Sequence, residues 1–239
     1  MGDHALSLLA TDTRSFPPDP PGDLDDAAAI VRTDQQAFDA VERMKDHWAR
    51  PGWSNRTRRL YWMLTFDKHR ALIDRATQCQ RALADLGLDP VPADGLHVTL
   101  LRIGDASAVA PAAVEALAEK VAALALPRLP LLAHPLAGSR GAVRFSVTPW
   151  TGLVALHAQL DQAGRELGVP GGSSTARFRP HLGIAYNPVE RDARPVVEAV
   201  GALRRFAPVP VTVEAVDLVE LRRDQSTYRW TVRRRVPLV

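Results

Sequence analysis

The sequence predicts an α+β protein built as two similar lobes, and three observations carry that expectation. Strand-length apolar runs alternate with helical patterns over residues 60–124. A second series of the same kind follows over 130–203. Two further strand-like runs, 209–221 and 228–236, then close the chain as an expected hairpin turning near 224–227.

Taken in order, residues 1–24 hold Phe16-Pro17-Pro18-Asp19-Pro20-Pro21-Gly22 and several acids with little apolar periodicity, the composition of a mobile N-terminal arm. Over residues 25–48 the positions Ile30, Ala37, Val41, Met44 and Trp48 fit a helix stopped by Pro51-Gly52, with a linker running to residue 56. The domain proper spans 57–239. It begins with a strand at 60–66, a helix over 68–86 closed by Gly87, a strand at 96–103 and an alanine-rich helix over 111–124. The second series expects strands at 130–137 and 143–148 around a turn at 138–141, a helix over 152–167, a strand at 178–186 and a helix over 190–203.

At 239 residues and 46% apolar content the chain has ample material for a core. No apolar run approaches the roughly 18 residues that cross a bilayer, and the short stretch 5–10 follows Asp3 without a basic leader, so the expectation is a cytoplasmic, monomeric protein with no membrane partner. The lone Cys79 excludes an internal disulfide and a cysteine-rich metal site, and reads as core filler. Of 30 basic residues only Lys45, Lys68 and Lys120 are lysines. Arginine suits bidentate phosphate contacts, but a GC-rich codon bias is the weightier explanation, and a net charge of +3 permits a nucleic-acid substrate without requiring one.

The chemistry lies in the two central strands, each of which contains a histidine. Gly95-Leu96-His97-Val98-Thr99-Leu100 and Arg179-Pro180-His181-Leu182-Gly183-Ile184 occupy equivalent places in the two series. Strand residues alternate faces, so His97 shares a face with Thr99, and His181 with Gly183. Brought side by side, the strands would present two imidazoles to one cleft. A single histidine in an apolar strand reads as a hydrogen-bonded core residue; the pairing is what argues for function. His4, His47, His69, His134 and His157 have no such pairing and read as surface or packing residues. Ser173 and Ser174 read as loop residues, and the spacing of the histidines suggests no zinc site.

At these residues the sequence resembles the two-histidine phosphoesterases, whose signature is a pair of His-x-Thr/Ser-x motifs on strands of two pseudo-symmetric lobes. His97-Val98-Thr99-Leu100 matches the first motif in full, and the likeness, nearest to the bacterial 2'-5' RNA ligase-like and cyclic nucleotide phosphodiesterase branches, covers about residues 57–239. It implies antiparallel sheets with helices on their outer faces around a central cleft. The second motif departs, with Gly183 where a hydroxyl residue is usual. Tyr186 falls where plant-like cyclic phosphodiesterases carry a phosphate-contacting tyrosine, but its strand parity is opposite to that of His181, so the carry-over requires a bend there.

The resemblance implies a metal-independent and cofactor-free phosphoesterase acting on a nucleotide or RNA-end phosphodiester. His97 and His181 would be general acid and base, and Thr99, Gly183 and Tyr186 would contact substrate. Histidine titrates near neutral pH and suits both proton transfers. A 2',3'-cyclic phosphate would open to a 2'-phosphate, and the same geometry, run as the reverse of 2'-5' bond cleavage, would join a 2',3'-cyclic end to a 5'-hydroxyl. Two rivals stand beside it: a noncatalytic RNA or nucleotide binder with a degenerate second motif, using Tyr61, Trp62, Tyr228 and Trp230 for stacking, and a protein-interaction scaffold using the N-terminal arm.

Overall fold

The computed structural model describes residues 2–239. In chain order the elements are α1 (Gly2–Ser7), α2 (Ala27–Asp39), β1 (Arg43–Met44), β2 (Arg59–Thr65), α3 (Arg70–Ala82), β3 (Asp89–Pro90), β4 (His97–Asp105), α4 (Pro111–Ala123), β5 (Leu129–Ser139), β6 (Ala142–Thr148), α5 (Thr151–Glu166), β7 (His181–Tyr186), β8 (Arg191–Asp192), α6 (Arg194–Leu203), β9 (Val209–Val213), β10 (Ala215–Asp224) and β11 (Thr227–Pro237). They form an α+β fold with two antiparallel sheets. One has the order β11-β10-β2-β4, the other β3-β7-β6-β5-β9, and β1 pairs with β8 in a separate ribbon.

The halves of the chain are interlocked. β3 comes from the first half yet sits in the second sheet, and the terminal β10 and β11 complete the first. Helices cross over too: α3 packs on β9 and β7, whereas α5 packs on β4. Local sequence accounts for the helices themselves. In α3 the buried Leu72, Ala76 and Cys79 recur at one-face spacing, and a left-handed Gly87 follows the short 3-10 turn that ends it. Burial pushes the Cys79 thiol up to about 11, as suits a core filler. Proline opens α4, where a missing N–H leaves nothing unpaired.

Three expectations need correction. The first concerns residues 1–24, which are not a solvated arm: Ala5, Leu9 and Leu24 are buried in the main core. The guanidinium of Arg179 donates to the carbonyls of Ala10, Pro17 and Pro18, and that of Arg144 to the Phe16 carbonyl. Prolines have no N–H and cannot join a regular backbone ladder, so the carbonyls of the run 16–21 are left to other donors, here two buried arginines and, at Pro18, also the Asp12 amide. The second concerns the expected helix over 25–48, which ends at Asp39. Asp26 caps its start by accepting from the Ala28 and Ala29 amides, and Asp34 within it forms a buried ion pair with Arg144 at 3.0 Å. Met44 and Trp48 lie beyond it, in β1 and the following loop.

The third is the terminal hairpin. Residues 209–213 form β9, an edge strand on β5 in the second sheet, where Pro210 is tolerated. The hairpin is β10 with β11, joined through Gln225 and Ser226 with Gln225 at a φ of 49°. Among the described residues no helix is long and apolar enough to cross a membrane.

Candidate active site

β4 lies against β7 where the two sheets meet. Between them opens a cavity of about 310 Å³ whose lining includes His97, Thr99, His181, Gly183 and Tyr186. All five residues singled out in the sequence are therefore at one site. A larger groove of about 830 Å³, between the loop at 16–20 and α2, contains neither histidine nor tyrosine in its lining. The titratable chemistry is in the smaller one.

Register explains how these side chains arrive there. Thr65 pairs with His97 and Met63 with Thr99 across β2 and β4, so the histidine and threonine share a face as their spacing requires. In the second lobe Ser146 pairs with His181 and Arg144 with Gly183, but the next pairs are Val143 with Ala185 and Ala142 with Tyr186. One extra residue on β7, Ile184, makes a β-bulge. Beyond it the alternation is reversed, and Tyr186 returns to the face of His181 and Gly183. The bend that the tyrosine needed is this bulge.

The two imidazoles are held alike. His97 Nδ1 lies 2.7 Å from the Gly95 carbonyl and His181 Nδ1 2.8 Å from the Arg179 carbonyl, each two residues back along the chain. A carbonyl only accepts, so Nδ1 carries the proton in both rings. Nε2 remains for the cleft, and among the described residues no hydrogen bond reaches it on either ring. Trp230 packs edge-on to His97 at 5.2 Å between centroids.

Both histidines titrate below their ordinary range. For His97 the cause is lost hydration, partly offset by the Gly95 carbonyl. For His181 it is again lost hydration, with the positive charge of Arg144 adding to it and the Arg179 carbonyl opposing. His181 is exposed to solvent at the cleft, which tempers the lost hydration, but the neighbouring positive charge of Arg144 still favours the uncharged form until an anion enters.

Gly183 lies beneath the Tyr186 phenol. A Cβ placed on it would stand 3.6 Å from Tyr186 Cε1 and 3.7 Å from the hydroxyl, an ordinary contact at a backbone conformation open to any residue. The hydroxyl thus occupies the region that a serine or threonine in the second motif would face. Burial raises the Tyr186 pKa, so the group is a phenol at any working pH.

The model of the 2'-5' RNA ligase superfamily matches residues 66–225, more than half of the chain. The chain belongs to this superfamily. Its fold is shared with several solved structures: a crystal structure of a phosphoesterase is 21% identical with a TM-score of 0.57, covering 77% of this chain and 99% of its own. Escherichia coli LigT complexed with NADP+ is 19% identical with a TM-score of 0.56, over 77% of this chain and 98% of that one. The TT0787 protein of Thermus thermophilus is 19% identical at a TM-score of 0.56, over 75% and 97%. At such identities the likeness is one of fold. No curated protein matches.

The superfamily match begins after residue 65, and the cleft contains groups from before it. His47, Arg50 and Trp53 line the cavity with Tyr61 and Tyr228. His47, expected as a surface or packing residue, packs at the cleft: its ring stacks on Tyr186 at 4.0 Å between centroids and 23° between planes. No strand pattern or motif surrounds His47, so the sequence carried no signal for it. Trp62 is a core residue with no exposure, while Tyr61, Tyr228 and Trp230 border a small apolar cluster on the cleft side.

Proposed function

We propose that the protein is a phosphoesterase in which His97 and His181 serve as general acid and base on a 2',3'-cyclic or 2'-5' phosphodiester of a nucleotide or RNA end. The observation that carries this reading is the matched tethering of the two rings, Nδ1 to a backbone carbonyl on each side with Nε2 left for the cleft. That arrangement fixes one tautomer and one ring orientation in both lobes, as two proton-transfer groups bracketing one phosphate require.

On a 2',3'-cyclic phosphate, one neutral Nε2 takes a proton from water as its oxygen bonds to phosphorus. The bond from phosphorus to the 3'-oxygen breaks, and the protonated Nε2 of the other ring delivers its proton to that oxygen, leaving a 2'-phosphate. Anionic substrate raises the depressed histidine pKa values and so favours the imidazolium that the second step consumes. The Thr99 and Tyr186 hydroxyls donate to the nonbridging oxygens, Tyr186 supplying the donor that Gly183 lacks. With a 5'-hydroxyl in place of water the same two proton transfers give ligation: its oxygen bonds to phosphorus as the 3'-oxygen leaves and is protonated, forming a 2'-5' linkage. Crystal structures of E. coli LigT complexed with NADP+, ATP, 3'-AMP and phosphate accord with a nucleotide-sized phosphoester as the ligand.

The test is a panel of 2',3'-cyclic mononucleotides, 2'-5' oligonucleotides and cyclic-ended RNA assayed in EDTA. His97→Ala and His181→Ala are each expected to lower turnover by at least about a hundredfold. Binding without turnover by the native protein would select the noncatalytic reading, and native-like rates in both variants would remove these residues from the mechanism.

A further inference from the structure

The segment before the superfamily match adds polar groups to the cleft that the two-histidine chemistry above does not use. His47 is buried, at 8% exposure. Its Nδ1 lies 3.4 Å from Arg50 Nη2 and its Nε2 lies 3.2 Å from the Tyr228 hydroxyl. A guanidinium only donates, so His47 Nδ1 is the acceptor of that pair. The single proton of the neutral ring is then on Nε2, and Nε2–H donates to the phenol oxygen of Tyr228. With that lone pair occupied, the Tyr228 proton is directed elsewhere, and among the described residues it meets no acceptor. The ring is locked by the Tyr186 stack on its face and by an edge contact with Trp48 at 4.8 Å.

We infer that Tyr228 is a further phosphate-oxygen donor of this cleft, aimed by a chain that runs from Arg50 through His47, and that His47 and Arg50 are positioning residues contributed by the segment preceding the superfamily domain. This rests on the cleft being the phosphoester site proposed above. Charge supports the direction of the chain: burial, with the charges of Arg50 and His181 adding to it, holds His47 down at about 3, so it stays neutral and keeps one tautomer. Burial raises the Tyr228 pKa, which keeps the hydroxyl protonated. The arrangement also gives the otherwise solitary Arg50 a task. Among the described residues it makes no ion pair, and it stands beside the cavity that would hold an anion.

The experiment uses the full chain with three variants and two readouts. Inorganic phosphate and 3'-AMP binding is measured by calorimetry, and turnover on whichever cyclic nucleotide the native protein hydrolyses gives kcat and KM. Tyr228→Phe is expected to weaken phosphate binding and lower kcat, each by about tenfold or more, with a smaller change in KM. His47→Phe keeps the stack but breaks the chain, and should lower kcat similarly. His47→Gln, whose amide nitrogen replaces Nε2–H, should recover most of it. In the double variant with Tyr228→Phe, the His47→Phe effect should vanish instead of multiplying.

A nitrogen NMR shift marking the Nε2–H tautomer of His47, unchanged from about pH 5 to about pH 9, is the independent signature. Tyr228→Phe within about twofold of native in both phosphate affinity and kcat would overturn the inference, as would multiplicative losses in the double variant. If the native protein hydrolyses nothing on the panel, the catalytic reading fails by itself. The phosphate-binding and NMR readouts still decide the role of Tyr228.

Discussion

Removing residues 1–24 is expected to unfold part of the protein rather than trim it. Leu9 and Leu24 are 8% and 2% exposed, and each buried leucine is worth about 1.5–3 kcal/mol, so the deletion removes about 3–6 kcal/mol of apolar burial before any polar effect. That compares with a total stability of roughly 5–15 kcal/mol for a native domain. The polar side adds to it. Arg179, 5% exposed, loses the Ala10, Pro17 and Pro18 carbonyls, and the fully enclosed Arg144 loses that of Phe16. At about 2–4 °C per kcal/mol for a chain of this size, about 4 kcal/mol corresponds to a fall in Tm of about 8–16 °C.

Scanning calorimetry of the native and truncated chains reads this directly. Should the truncated chain aggregate, Leu24→Ala in the intact chain isolates the core contribution at about 2–5 kcal/mol. The Arg179 carbonyl holds the His181 ring, so kcat should fall further than KM rises in any truncated protein that still folds. A melting temperature within about 2 °C of native would refute the reasoning and restore the solvated arm.

Three other outcomes are expected. Gly183→Ser should fold normally and turn over within about threefold of native, because its Cβ meets Tyr186 at an ordinary 3.6 Å, whereas Tyr186→Phe should lose about tenfold and regain part of that in the double variant; a hundredfold loss in Gly183→Ser alone would contradict this. In the pH profile, kcat/KM reports the free protein, where both cleft histidines are depressed, so its alkaline limb should lie below the ordinary histidine value of about 6.5. The kcat limb, set with anion bound, should lie higher, and coincident limbs would argue against electrostatic coupling between phosphate and the pair. His157, buried between Ser173 and Thr175 with its pKa lowered to about 4, favours the folded state when neutral; stability present above about pH 6.5 should be lost as pH falls towards 4, by roughly 3 kcal/mol, and His157→Gln should flatten that slope in denaturant titrations.

Much of the fold was legible because its signals are local. Helices α3, α4 and α5 fall within a few residues of the expected spans, since an apolar stripe, a proline at the start and a glycine after the end are all written within one element. The terminal hairpin was misread because Val209–Val213 and Ala215–Asp224 form one apolar run in sequence. Only the break at Glu214 and the pairing of Leu131 with Val211 assign them to different sheets.

At the site, the sequence by itself determined that His97 and Thr99 share a face, and that a second histidine stands at the corresponding strand of the other series. Period-two alternation fixes such relations before any tertiary contact forms. Which face Tyr186 takes was decided by the bulge at Ile184, a property of how β7 registers against β6 and not of β7 alone. The N-terminal segment acquired its order from arginines more than 100 residues away, and His47 its place from a tyrosine 181 residues distant. A hydrogen bond has no periodicity along the chain. Its two ends meet only after the sheets have packed, and so the donors and acceptors that complete this cleft were fixed by the tertiary structure.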